Sequence, residues 1–579
     1  MLDGVTAVLS GHLHNRDALA ARLGLGRDVS TPLLLAAGYR RWGRELVARL
    51  QGTFALLAWD GERRHGVVAV DRLGAAGVFV FRDGPALTVG TEVETLLGVL
   101  PRAPAPDADA VVQWMVEGML PPGTTLFGGI RRLEGGTLLA LDERGSTECR
   151  YWRPSTRSQG IPAAEAAAAL REGVIAAVQR RIPEPEAPAV MLGGGLDSGT
   201  VAGAAARLRG GGFVRAYSAV FPAHETVDEA ALIDAVTSEL GTRSGRIVTH
   251  GGSTIPSSLR YLDTWALPPA SPNLFFKLPL LELAAREGNT VMLDGQGGDE
   301  LFGLSRYLLA DRIRTGRVRD ARRLARALVG DEPGQGAAAR AAFRAFGLKG
   351  LVPAPAHGLL RRLHPDHYSP DWLGAEAARG YAVAGDPWRW KRTPGPRWRA
   401  YLADLLTGYR ERAGAHDFLR HMSAMGGIEG AHPFHDDADL VDLVLQLPPE
   451  LAFDERLDRP LLREAMAGVT PDVVRLRREK SYFNELVLDS LTRHDWPTVI
   501  RVLEDPQAEV RTFVQLDKLR DRLLRAAQAS GTRVRWATTV WRVFMTECWL
   551  RTQVDSSFPQ RALETWQIPE PGYSLRPAG

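Results

Sequence analysis

Two stretches decide how this chain is read. They are Ala189-Val190-Met191-Leu192-Gly193-Gly194-Gly195-Leu196-Asp197-Ser198-Gly199-Thr200 and Val291-Met292-Leu293-Asp294-Gly295-Gln296-Gly297-Gly298-Asp299-Glu300-Leu301-Phe302-Gly303. Each reads as a short buried strand that breaks into a glycine-rich turn carrying an aspartate and then enters a helix. Two such turns at the ends of parallel strands can face one crevice, where open α/β sheets bind ligands. Glycines expose backbone N–H groups, and the helix start that follows favours an anion. The aspartates are hard oxygen ligands suited to Mg²⁺. No Lys-Ser/Thr pair follows the glycines, so this is not a Walker A loop. The pair points to a nucleotide site built to handle pyrophosphate.

Outward from these turns, strand and helix patterns alternate. A helix is expected over 163–181, a strand over 214–220, a helix over 228–240, a strand over 244–248, a helix over 278–287 and a strand over 291–293. That alternation predicts a doubly wound parallel sheet. Residues 1–155 differ, with short apolar runs such as Thr53-Phe54-Ala55-Leu56-Leu57 and Gly77-Val78-Phe79-Val80-Phe81 followed by Asp-Gly turns. They read as a sheet-rich α+β domain, with helices near 17–23 and 32–42, and a polar link after 153 marks its boundary. The rest, 160–579, reads as a second, larger unit with a helical part at 305–425 and a C-terminal extension at 485–579. Seven arginines fall within 312–326, the pattern of a solvated helix face or of a surface for an acidic partner.

Bulk properties exclude several classes. A formal charge of +3 over 579 residues gives no ground for nucleic-acid binding. Two cysteines, Cys149 and Cys548, exclude a disulfide framework and a cysteine-based metal site. No apolar run approaches the roughly 20 residues that span a bilayer, so no membrane insertion and a cytoplasmic location are expected.

The motifs together resemble asparagine synthetases. Gly193-Gly194-Gly195-Leu196-Asp197-Ser198 is similar to the Ser-Gly-Gly-Leu-Asp-Ser pyrophosphate loop of N-type ATP pyrophosphatases, with glycine for the first serine. The Asp294 to Gly303 stretch is similar to the second metal loop of asparagine synthetases. Met422-Ser423, Ile428-Glu429 and Pro433-Phe434 resemble that family's Met-Ser…Leu-Glu…Pro-Phe segment, and Pro460-Leu461-Leu462-Arg463-Glu464-Ala465-Met466 with 475–480 its basic C-terminal motif. Gly11-His12-Leu13-His14-Asn15-Arg16, Asp71-Arg72-Leu73-Gly74 and Gly90-Thr91-Glu92-Val93 resemble its Ntn-type glutaminase domain, an αββα fold. One departure matters. The family places a cysteine nucleophile directly after the initiator methionine, and Leu2 stands there. Without a thiolate, glutamine forms no thioester. The expectation is a degenerate glutaminase domain on an ATP-dependent, AMP-forming amide ligase whose amine arrives with the substrate.

Two relatives fit that description: β-lactam synthetases, and lasso peptide macrolactam synthetases (lasso cyclases). The wording of the second loop and of the C-terminal motif resembles the cyclases most. Gln296 stands where β-lactam synthetases carry a tyrosine. The long 305–420 and 485–579 segments add aromatic and basic surface for a peptide. The implied substrate is a leaderless precursor core peptide, closed between its N-terminal amine and an Asp or Glu side chain. A leader peptidase and a leader-recognition protein are the implied partners. A small-molecule amide ligase and a non-catalytic scaffold remain open.

The resemblance also implies roles. ATP lies over Leu192, Gly193, Gly194, Gly195, Leu196, Asp197 and Ser198, with Gly295, Gln296 and Gly297 opposite and Ser218 beside the adenine. Asp197 and Asp299 hold Mg²⁺. Lys480 stabilises the tetrahedral intermediate and the departing phosphate. Asp417, Glu429 and His432 face the acyl centre, Glu429 and Asp417 as candidates for the base. Asn273, Phe275, Gln296 and His432 lie near the acceptor.

Overall fold

The computed structural model describes residues 4–155, 161–182, 186–329, 335–364, 368–384, 388–407, 411–452, 454, 457–479, 483–526 and 533–576. In the N-terminal part, β1 (Val5–Leu13), β2 (Gly52–Asp60), β3 (His65–Val70), β7 (Thr137–Asp142) and β8 (Gly145–Arg150) form an antiparallel sheet in the order β1-β2-β3-β7-β8. A smaller sheet has the order β5-β4-β6, from β4 (Phe79–Asp83), β5 (Ala86–Gly90) and β6 (Ile130–Arg132). Alternation decides which side is buried. Val5 and Ala7 of β1 are buried and Thr6 and Val8 are exposed. One face of the large sheet packs on the helix Thr31–Trp42 through Leu34, Leu35 and Tyr39. The other meets the small sheet through Val68, Val70, Val80 and Leu139.

The second sheet has the order β13-β12-β9-β10-β11-β14, from β9 (Ala189–Met191), β10 (Arg215–Val220), β11 (Arg243–Thr249), β12 (Val291–Leu293), β13 (Glu429–Ala431) and β14 (Tyr573–Arg576). The first five strands are parallel, and β14 joins β11 antiparallel at the edge. The doubly wound reading holds, with that one antiparallel addition. Both faces are covered. Val190, Ala216 and Leu293 enter one core; their neighbours Ala189, Tyr217 and Met292 enter another. The first core is closed by helices Ala163–Gln179, Leu196–Arg209 and Ala438–Gln446, and the second by Leu274–Arg286. Strand order reverses between β9 and β12, so the crevice of a switched sheet opens above those two strands.

In the two long additions several large aromatics are buried. Helix Arg533–Val554 packs on Ala108–Glu117 of the N-terminal part, burying Trp541, Phe544 and Trp549 almost completely, and Arg542 donates to the Val116 carbonyl at 2.9 Å. In the 305–425 region Tyr307, Trp390 and Trp398 are likewise buried. The expectation of aromatic surface in these segments is therefore corrected for the aromatics named here. Large rings shed the most water by entering a core, and here they bind the two parts together. The arginine-rich stretch runs from the end of helix Leu308–Arg314 into helix Val318–Ala327, which buries Ala321, Leu324 and Ala325. Among the described residues, no helix is long and apolar enough to cross a membrane.

Candidate active site

From β9 the chain turns through Leu192, Gly193 and Gly194 to Gly195, which caps helix Leu196–Arg209. From β12 it passes Asp294, Gly295 and Gln296 to Gly297, whose φ of +88° starts the short helix Gly298–Phe302. Because β9 pairs with β12, the turns lie side by side and touch. A Cβ on Gly295 would lie 2.6 Å from the Ser198 nitrogen, and one on Gly298 would lie 2.4 Å from the Asp197 carboxyl carbon. Close approach of the loops is what these two glycines provide.

That approach turns Asp197 and Asp299 toward one positive charge. Nη1 of Arg459 donates to both carboxylate oxygens of Asp197 at 2.6 Å and lies 3.1 Å from an oxygen of Asp299. Arg459 holds φ at +51°, a strained value for arginine, immediately before Pro460 and helix Pro460–Ala465. Burial opposes its charge, but Asp197, Asp458 and Asp299 outweigh that and raise its pKa. Two hard carboxylates on separate loops, converging on one buried cation, are a donor set that fits a divalent metal.

A complementary arrangement lies on the first loop. The Gly194 N–H donates to Glu229 Oε2 at 2.7 Å, and Nη1 of Arg477 donates to Glu229 Oε1 at 2.7 Å and to the Gly194 carbonyl at 2.8 Å. A loop N–H and a guanidinium thus hold a carboxylate as they would hold a phosphate oxygen. Ser198 Oγ accepts from the Gly193 N–H at 3.2 Å and keeps the turn closed. The cleft over both loops is lined by Leu192 to Ser198, Gly295, Gln296, Phe276, Lys277, Arg459 and Arg477. Burial lowers the pKa of Lys277, against the opposing pull of Asp294.

The profile of the asparagine synthase family matches residues 169–551, and that of a glutamine amidotransferase domain matches residues 3–152. The chain belongs to the asparagine synthase family. A Mycobacterium tuberculosis protein assigned as a glutamine-hydrolysing asparagine synthetase is 28% identical over 319 residues, covering 52% of this chain and 48% of its own. Glutamine-hydrolysing asparagine synthetase 3 of Bacillus subtilis is 28% identical over 215 residues, 35% of this chain and 34% of its own. Carboxyethyl-arginine β-lactam-synthase of Streptomyces clavuligerus is 29% identical over 307 residues, 52% of this chain and 55% of its own. The chain spans about half the length, or less, of these relatives. An Ntn amidotransferase-like N-terminal part thus precedes the asparagine synthase part.

Several residues expected from the resemblance stand elsewhere. Asp417 receives two hydrogen bonds from Arg132 at 2.9 Å and one from Arg420 at 3.0 Å, across the junction with the N-terminal part. Burial would raise its pKa, but the guanidiniums of Arg132 and Arg420 hold it far below the usual carboxylate range, so it is no base. Glu429 opens β13 opposite Val291, at the end of the sheet away from the loops, and bonds His12 of β1 at 2.9 Å. Phe275 is buried in the core, and Phe276 and Lys277 line the cleft instead. Ser218 is completely buried; Ala219, the next residue on the strand, lines the cleft, because successive strand side chains face opposite ways. His432 is buried behind the second loop, where its Nδ1 and Asp294 lie 2.8 Å apart. The Asn273 amide oxygen is buried without a hydrogen-bond partner. Gln296 is exposed at the cleft, and Asp299 is half exposed. Lys480 lies outside the described residues.

Sequence reasoning missed Arg459 and Glu229, and took Lys277 only as part of the Phe275-Phe276-Lys277 stretch near the acceptor. Arg459 stands one residue before the quoted Pro460 motif, and Glu229 lies inside the helix expected over 228–240. No sequence spacing shows that all three turn toward the same two loops.

Proposed function

We propose that this chain is an ATP-dependent, AMP-forming amide ligase that closes a macrolactam in lasso peptide biosynthesis. The observation that carries the ligase reading is the pair of touching loops whose aspartates, Asp197 and Asp299, share one cation above a switch point of the sheet. In this reading the triphosphate lies over Gly193 to Ser198, where loop N–H groups, the helix start and Arg477 receive phosphate oxygens. Asp197 and Asp299 would hold Mg²⁺, which supplies neutralisation of charge on the leaving pyrophosphate. The substrate's Asp or Glu carboxylate oxygen attacks the α-phosphorus, the bond to the β-phosphate oxygen breaks, and pyrophosphate departs. The peptide's N-terminal amine then attacks the acyl carbon of the adenylate, loses a proton, and AMP leaves with its bridging oxygen. That proton passes to solvent. A free α-amine has a pKa near 7.7–8.0, so no strong base is required. Lys480 retains its proposed role at the tetrahedral intermediate, and the apolar wall from Phe276 keeps water from the adenylate.

The absence of glutaminase activity is part of the proposal. Cys149 lies on the sheet-edge strand β8, and Cys548 is fully buried in helix Arg533–Val554, where burial and Glu547 push its thiol up. Cys548 is therefore not an activated nucleophile. The peptide substrate is supported by the loop and C-terminal wording and by Gln296 at the cleft. The partners proposed with it are a leader peptidase and a leader-recognition protein. The likeness to a β-lactam-synthase supports a second reading, closure of a small β-amino acid derivative. Purified chain with Mg-ATP separates them. Pyrophosphate release with a linear leaderless peptide, giving a product lighter by one water, upholds the first. Release with a small β-amino acid alone upholds the second.

A further inference from the structure

Behind the second loop lies a side-chain cluster that the ligase chemistry does not use. His416 belongs to helix Glu411–Met425, and His435 and Asp436 belong to the turn that follows β13. Nδ1 of His416 lies 3.1 Å from Oδ1 of Asp436, and Nδ1 of His435 lies 3.2 Å from the same oxygen. The two imidazole rings are 3.9 Å apart at 62°. All three side chains are buried, with 2%, 7% and 9% of their surface exposed. Two nitrogens and one oxygen, one from each residue, fall within 4.8 Å of one another.

We infer that His416, His435 and Asp436 form a structural binding site for a divalent transition metal, zinc by its chemistry, separate from the Asp197–Asp299 pair. Zinc bonds to imidazole and carboxylate are about 2.0–2.2 Å, so the edges of its tetrahedron are about 3.3–3.6 Å. The two edges seen here, 3.1 and 3.2 Å, lie within a few tenths of an ångström of that. Neutral imidazole with one carboxylate is a borderline donor set, suited to zinc and not to magnesium or calcium, which prefer all-oxygen shells. The set leaves one coordination position for a further ligand.

The site's position gives it a task. A Cβ on Gly297 would lie 3.0 Å from backbone and Cβ atoms of His435, so the turn that carries the cluster is the wall behind the second loop. The same turn is closed by the N–H groups of His435 and Asp436 on the His432 carbonyl, at 3.0 and 2.9 Å, while His432 holds Asp294. On the other side, Asp417 follows His416 directly and is tied to Arg132 of the N-terminal part. A metal here clamps the helix that meets the N-terminal part to the turn that backs the nucleotide loop.

The test is the metal content of the full chain. Apo protein is loaded with zinc chloride, desalted and analysed by inductively coupled plasma mass spectrometry. The expected result is one zinc per chain, dropping at least tenfold in His416→Ala, His435→Gln and Asp436→Asn, and unchanged in Asp299→Asn. Cobalt chloride in place of zinc reports the same site by the visible absorption of four-coordinate Co²⁺. It also provides a check independent of variant folding, because it is read on the native sequence. Less than about 0.1 equivalent of zinc in the native chain, or zinc kept by all three cluster variants, overturns the inference and leaves Asp436 as a hydrogen-bond acceptor between two histidines.

Discussion

Replacing Gly298 with alanine tests whether contact between the two loops is what builds the site. The new methyl would lie 2.4 Å from the Asp197 carboxyl carbon and from its Oδ1, so Asp197 has to withdraw by about 1 Å to reach ordinary contact. Asp197 is where Nη1 of Arg459 lands at 2.6 Å, so the withdrawal opens the shared cation site directly. A displacement of that size at a positioned group costs on the order of 100-fold in rate, or about 2.7 kcal/mol of barrier. Stability should fall by about 1–3 kcal/mol, as for an overpacked buried contact. The assay is kcat for pyrophosphate release with saturating Mg-ATP and substrate, with thermal unfolding in parallel. Gly98→Ala, in helix Val93–Val99 with nothing within 4 Å of its new methyl, is the matched control and should be neutral or slightly stabilising. A Gly298→Ala protein that folds and keeps more than half of the native rate would refute the argument.

Arg459→Gln removes the cation that the two aspartates share. We expect a lower melting temperature without metal and a larger upward shift on adding Mg²⁺, because the two carboxylates then lose the counter-charge of Arg459; equal shifts in both proteins would count against it. Asp417→Asn breaks a buried two-pronged ion pair and should cost about 3 kcal/mol in thermal or urea unfolding, whereas a change below about 1 kcal/mol would mean the pair is idle. The same pair gives a pH dependence. The folded pKa of Asp417 is depressed, so its contribution is complete above the ordinary aspartate value near 3.9 and is lost as pH falls from there toward the folded value. His14 acts earlier: burial, then Arg181, lowers its pKa to about 4, so stability falls as pH drops from about 6.5 toward that value, and His14→Gln should flatten the slope. Incubation with glutamine, with and without ATP, should release no glutamate beyond a boiled control.

Much of the fold was legible because it rests on local pattern. The strand over 291–293 matched β12, and helix 163–181 lies within two residues of Ala163–Gln179, since apolar periodicity and glycine turns set both. Edge strand β14 was not legible: Tyr573, Ser574, Leu575 and Arg576 are all exposed, so no alternation marks them. Within the site, the two loop aspartates, Asp197 and Asp299, could be read from their turns. The roles of Asp417 and Glu429 could not. Their partners, Arg132 and His12, lie 285 and 417 residues away, and only the folded chain brings them together. Ser218 was expected at the cleft and Ala219 stands there instead, a matter of strand facing that a single residue's shift inverts. Arg459 left no local signal, because an arginine before a helix is ordinary until two aspartates are seen to share it.

The central claim is that Asp197 and Asp299 serve an adenylating ligase. The most direct test is to identify the nucleotide products formed from Mg-ATP during turnover with the linear leaderless peptide. AMP and pyrophosphate in equal amounts, matched by cyclised peptide and abolished in Asp197→Asn and Asp299→Asn, is the result this account predicts. ADP and inorganic phosphate, or AMP formation that survives both substitutions, would contradict it.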